Sequence, residues 1–149
     1  MPSETFMTPG LVVPTVDTVT TPILNVVSIV VADMSAALAF YRACGLVIDP
    51  AQDGEPHASA EPIGGLTVMF DTHDVVRSMD SAWTPGTGGH RMALAFDCES
   101  PAGVDELHAA LAGAGYASHL DPFDAFWGQR YAVVLDPDGN LVDLYAAAG

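Results

Sequence analysis

One order of elements occurs twice along this chain of 149 residues, and that repeat restricts the fold more than any single motif does. The first copy opens on the β-branched run ILNVVSIVVA from Ile23, which suits a buried strand. Asp33 and Ser35 then offer N-caps to a helix, SAALAFYRAC, that Gly45 stops. Short strands are expected at LVI, at HASAE and, beyond the turn at Ile63-Gly64-Gly65, at LTVMFD. The second copy begins with the strand RMALAFDC. Its helix has Ser100 as N-cap and Pro101 at the first helical position, with Asp105 and Glu106 early, where they suit the dipole. Val104, Leu107 and Leu111 form one apolar stripe, and Gly113 or Gly115 ends the helix. Strands follow at YASHL, RYAVVLD and NLVDLYA, the last two joined by the turn Asp136-Pro137-Asp138-Gly139.

The chain therefore reads βαβββ twice, an α+β class with one helix on a mixed sheet in each module. Two such sheets can curl together around a cup. Module 1 spans about residues 23–71, a linker 72–89 and module 2 about 90–147. Residues 1–22, with Pro2, Pro9, Pro14 and Pro22 and no sustained period, are expected to be a flexible extension.

Charge narrows the partners. Four arginines and no lysine stand against 19 acids, a net −15. Such a surface repels nucleic acid and anionic lipid, whose phosphates need basic clusters. It attracts cationic small molecules, and it equally serves solubility. Apolar runs such as Ile29 to Ala32 fall far short of the roughly 20 residues that span a bilayer. Without a basic-then-apolar leader, and with only Cys44 and Cys98, the expectation is a cytoplasmic protein with no disulfide framework. Both cysteines read as small packing residues.

VVSIVVADMSAALAFYRACGL in the first half and DPDGNLVDLY at the end resemble the vicinal oxygen chelate superfamily, the glyoxalase/bleomycin-resistance/dioxygenase family. FWGQRYAVVLDPDG is similar to the bleomycin-resistance-like branch. The resemblance spans residues 23–147 and implies two modules closing, often across a homodimer, into a cup for metal or ligand. It also implies four metal-ligand positions, on the first and last strand of each module. These fall on Val26, seven residues before Asp33, and its repeat equivalent Ala93, and on Val68 and Asp143. One carboxylate cannot hold zinc, iron or nickel, which take three or more protein ligands, so no metal and no cofactor are expected. The five histidines offer no HxH or HxxxH pair. His90 falls on the opposite strand face from Ala93, His57 is a candidate from the second strand, and His73 and His119 sit at loops or strand ends. His108 reads as a solvent-facing helix residue.

Candidate ligand residues come from the aromatic segment DPFDAFWGQRY and its surroundings. Phe123, Trp127 and Tyr131 fit either core packing or a wall for a flat ligand. Trp83, in the Gly/Pro-rich SAWTPGTGG, could cover the cup as a flap. Arg130 and Asp143 could form a structural ion pair, or address a ligand's anion and cation respectively. The resulting expectation is a homodimeric small-molecule-binding protein that sequesters or carries a partly aromatic, antibiotic-like ligand. The alternative is an enzyme of the same fold, a lyase, isomerase or dioxygenase, metal-dependent or using Asp143 as acid or base.

Overall fold

A computed structural model describes residues 21–88 and 91–149. Most of the expected N-terminal extension, and His90, lie outside the described residues. The first module holds β1 (Val26–Val31), α1 (Met34–Ala43), β2 (His57–Ser59) and β3 (Thr67–Thr72) in a sheet of order β1-β3-β2, with β1 and β3 parallel. After α2 (His73–Met79), the second module holds β4 (Ala93–Asp97), α3 (Pro101–Gly113), β5 (Ser118–Ala125), β6 (Gln129–Leu135) and β7 (Leu141–Ala147). Its sheet has the order β4-β7-β6-β5, with β4 and β7 parallel. The α+β class is as the sequence predicts, but only the second module shows the expected βαβββ order; the first is βαββ, with a three-stranded sheet.

Local chemistry explains the helices. Asp33 caps α1 by accepting from Ala36 N, and Ser100 caps α3 by accepting from Gly103 N, with Pro101 just inside. Both helices end before a glycine at positive φ, Gly45 at 104° and Gly115 at 98°, the left-handed closure that needs no Cβ. Leu38, Phe40 and Tyr41 of α1 and Val104 and Leu111 of α3 join Val31, Phe70, Val134, Val142 and Leu144 in one continuous core.

Four expectations need correction. LVI does not form a strand: Leu46 and Ile48 are buried and Val47 is 65% exposed, the right alternation, but the backbone bond from Glu61 N to Val47 O at 2.8 Å does not extend into a ladder. The supposed linker contains α2, capped by the Thr72 hydroxyl accepting from Val75 N. YASHL starts later and runs on through Pro122 to Ala125, which an edge strand with register shifts tolerates. His108 faces inward, 9% exposed, with its Nε2 2.8 Å from Ser118 Oγ.

The turn between β6 and β7 fastens the modules together. Asp136 Oδ1 accepts from the backbone N–H of Asp138 and of Asn140, while Oδ2 accepts from Asn140 Nδ2 and from the Tyr41 hydroxyl of α1. Asp138 Oδ1 accepts from Ala32 N at the end of β1.

Candidate functional site

Each sheet has one face on the helices and one turned away from them, set by strand periodicity. On the second sheet Ala132, Val134, Val142, Leu144 and Ala146 face the core. Tyr131, Val133, Asp143 and Tyr145 therefore occupy the other face. Register fixes their neighbours: Phe123 opposes Tyr131, Tyr131 opposes Tyr145, and Val133 and Ala95 flank Asp143.

The β5–β6 hairpin completes this surface. Its three-residue loop closes on Gly128 at φ 89°, a position that favours glycine. The loop presents Phe126 (97% exposed) and Trp127 (49%). Trp127 stands edge-on to Tyr131 at 5.3 Å between centroids and to Phe123 at 6.3 Å, with its indole N–H on Gln129 Oε1. Phe123 and Tyr131 are 6.1 Å apart. Tyr131 donates a short hydrogen bond to Asp143. Burial, then that bond and the Asp143 charge, push the Tyr131 hydroxyl up to about 12, so at neutral pH it remains a donor to the carboxylate.

Phe123, Trp127, Tyr131 and Asp143 thus come together. Arg130 and Trp83 do not join them. Arg130 opposes Ala146, which places it on the helix side of β6, where it bonds Asp105 of α3 at 2.9 Å and Asp124 at 3.1 Å. The expected Arg130–Asp143 ion pair is absent because the two side chains leave opposite faces of the sheet. Trp83 packs on His73 at 5.1 Å and lies 5.4 Å below the Arg77 guanidinium. It lines a separate cleft of about 720 Å³ between the edges of β1 and β4, with Ser28, Val30, Arg91 and Met92.

A metal does not fit the residues present. The equal register of Ser28 with Met69 and of Ala95 with Asp143 makes Met69, not Val68, the repeat equivalent of Asp143. Val26, Ala93 and Met69 supply no hard donor, and Asp143 already accepts from Tyr131. Among the described residues no three His, Cys, Asp or Glu side chains cluster as a ligand set. The sequence reading did not foresee the contact between His57 and Asp71 on the first sheet, 2.6 Å between Nδ1 and Oδ1. Only the pairing of β2 with β3 reveals it.

Two consecutive modules, βαββ and βαβββ, each with a helix on one sheet face and an open opposite face, define the class of protein. The model of the Glyoxalase/Bleomycin resistance protein/Dioxygenase superfamily matches residues 23–144, and the chain belongs to that superfamily. A glyoxalase/bleomycin resistance protein/dioxygenase family enzyme from Burkholderia phytofirmans PsJN is similar at 24% identity and TM-score 0.72, over 83% of this chain and 97% of that one. A glyoxalase/bleomycin resistance protein/dioxygenase from Nocardioides is similar at 20% identity and TM-score 0.68, over 87% and 86%. A lactoylglutathione lyase from Agrobacterium tumefaciens is similar at 18% identity and TM-score 0.61, over 85% and 94%. At these identities the likeness is one of fold. No curated protein matches the chain.

Proposed function

We propose that the chain binds a small, flat, partly aromatic molecule on the open face of its second sheet and sequesters or carries it without a metal. The observation that carries this reading is the packing of Phe123 and Trp127 on Tyr131, whose hydroxyl bonds Asp143, on the sheet face turned away from the helices. Half-exposed Trp127 and partly buried Phe123 and Tyr131 on a sheet face, with Phe126 and Leu120 exposed beside them, make an apolar patch of the kind that marks binding surfaces. Edge-to-face rings hold each other in place and leave their outer faces for a ligand ring, at about 0.5–1.5 kcal/mol per ring pair beyond burial. Asp143 adds the polar handle, and with the net charge of −15 it favours a cation. A sheet face open on one side needs a lid. A second copy of the chain, in a homodimer, supplies it in this reading.

The test is a thermal-shift and fluorescence screen of planar aromatic cations and their neutral and anionic counterparts. Cations are expected to bind best, with affinity falling as salt rises, because exposed charges are screened beyond about 8 Å at physiological ionic strength. Asp143→Asn is expected to weaken cations selectively. Preferential binding of anions, unaffected by Asp143→Asn, contradicts the reading. An enzyme working by acid–base chemistry is the second reading, and the His57–Asp71 pair is the observation that favours it.

A further inference from the structure

The open face of the first sheet carries a second group of reactive side chains, apart from the aromatic wall. His57 lies opposite Asp71 and Ser59 opposite Met69 across β2 and β3, and their spacing of two puts His57 and Ser59 on one face. His57 Nδ1 is 2.6 Å from Asp71 Oδ1, and its Nε2 is 3.5 Å from Ser59 Oγ. An ionised carboxylate only accepts, so in the neutral ring Nδ1 carries the proton and Nε2 holds the lone pair, with the Ser59 hydroxyl 3.5 Å away. The imidazole is half exposed at 49% and the carboxylate mostly covered at 17%. Gln52 steadies the strand beneath them, accepting from Ser59 N and donating to Ser59 O, each at 2.9 Å.

Two assignments fail on this geometry. A metal lacks a third ligand among the described residues. Acyl transfer at Ser59 needs backbone donors for an oxyanion, yet Ser59 N is bonded to Gln52 and Ala60 N to Val68 O. Proton transfer requires neither.

We propose that His57, oriented by Asp71, is a general base toward a flat conjugated molecule that carries an acidic C–H or O–H. Val30 beside Asp71 and Met69 beside Ser59 give an apolar surface for such a ring. The proton passes to Nε2 and its electron pair stays on the substrate. The arginines are placed elsewhere: Arg42 on Asp53, Arg77 on Asp74, Arg130 on Asp105 and Asp124, and Arg91 at the cleft. Among the described residues no arginine pairs with His57, Asp71 or Ser59, so a substrate that delocalises the new anion itself is favoured, which selects conjugated acids such as phenols and vinylogous enols. Asp71 is a positioning residue that fixes the tautomer.

The probe is 5-nitrobenzisoxazole, a planar carbon acid. Its ring C–H proton goes to the base, the electron pair closes a nitrile, and the N–O bond breaks to open the ring to a single product, 2-cyano-4-nitrophenolate. The parent protein is expected to accelerate this elimination about 100-fold over an equal concentration of free imidazole, the lower end for general-base catalysis. His57→Gln is expected to return the rate to background. Asp71→Asn is expected to lower the rate and to shift the ¹⁵N resonances of the His57 ring from the Nδ1–H to the Nε2–H tautomer. A parent rate no greater than that of imidazole, a rate undiminished in His57→Gln, or an Asp71→Asn ring still protonated at Nδ1 overturns the proposal.

Discussion

Asp136 shows how much one carboxylate does here. Its four hydrogen bonds close the β6–β7 turn and reach across to α1, where it accepts at 2.8 Å from the fully buried Tyr41. Replacing it with alanine strands the Tyr41 hydroxyl and turn donors, and is expected to cost roughly 3 kcal/mol in urea unfolding, an unsatisfied-donor loss. Tyr41→Phe keeps the turn intact and is expected to cost about 1.5 kcal/mol, one bond to a charged acceptor. The two differ again in base. Burial first, then Asp136, raises the Tyr41 hydroxyl well above its ordinary value, so the folded chain holds that proton more tightly than the unfolded one. Its stabilisation is complete below about pH 10, the unfolded tyrosine value, and is lost as the pH rises beyond it. Stability curves measured from pH 8 to 12 are expected to fall more steeply for the parent than for Tyr41→Phe. Burial also pushes the Cys44 thiol up to about 12, so a disulfide reagent at pH 8 is expected to leave it unmodified until denaturant is added. The sequence made the DPDG turn legible, because proline and glycine mark it. It did not show that its first aspartate fastens the modules, since Tyr41 lies 95 residues away. The ion-pair alternative for Arg130 and Asp143 fails for a related reason: which face each leaves depends on the hairpin register, Leu135 against Leu141, which the turn alone does not state.

Among the elements, α3 was readable almost to the residue because its signals are local, from the Ser100 cap to the glycine closure. One of its residues breaks propensity. Gly103 sits in the first turn, where alanine is favoured by about 1 kcal/mol on propensity alone. A Cβ there would lie 2.2 Å from the Cys98 carbonyl oxygen. Gly103→Ala is therefore expected to lower stability, by about 2 kcal/mol as overpacking does, and a raised melting temperature would contradict that contact. The LVI segment illustrates the opposite limit. Leu46, Val47 and Ile48 alternate as a strand does, but a strand also needs a partner, and that is decided by the rest of the sheet. His108 shows a third case. It follows Val104 by four residues, on the buried stripe, and its ring finds Ser118 and Asp121, partners that no helical pattern reveals.

The whole molecule leaves two sheet faces uncovered, one lined with aromatic rings and one with His57 and Asp71. Dimer formation would cover such faces, and sedimentation is expected to give twice the 15.5 kDa chain mass at micromolar concentration. A stable monomer would require the two modules of one chain to hold the ligand unaided. Among the described residues no helix is long and apolar enough to cross a membrane. Family and fold are legible because the strand–helix–strands order recurs, although the first module forms one strand fewer than the sequence suggests. The aromatic wall was legible in part, because Phe123, Trp127 and Tyr131 are close in sequence, whereas the face of the first sheet depended on pairing over 14 residues. The most direct measurement of metal-free binding is calorimetric titration of exhaustively chelated protein with the tightest planar cation from the screen, parent beside Trp127→Ala. The expected result is full binding by the stripped parent and a loss of about 2–4 kcal/mol in the variant, the size of a binding hot spot. Binding that vanishes on chelation and returns with zinc, nickel, iron or manganese, or that is the same in Trp127→Ala, would contradict it.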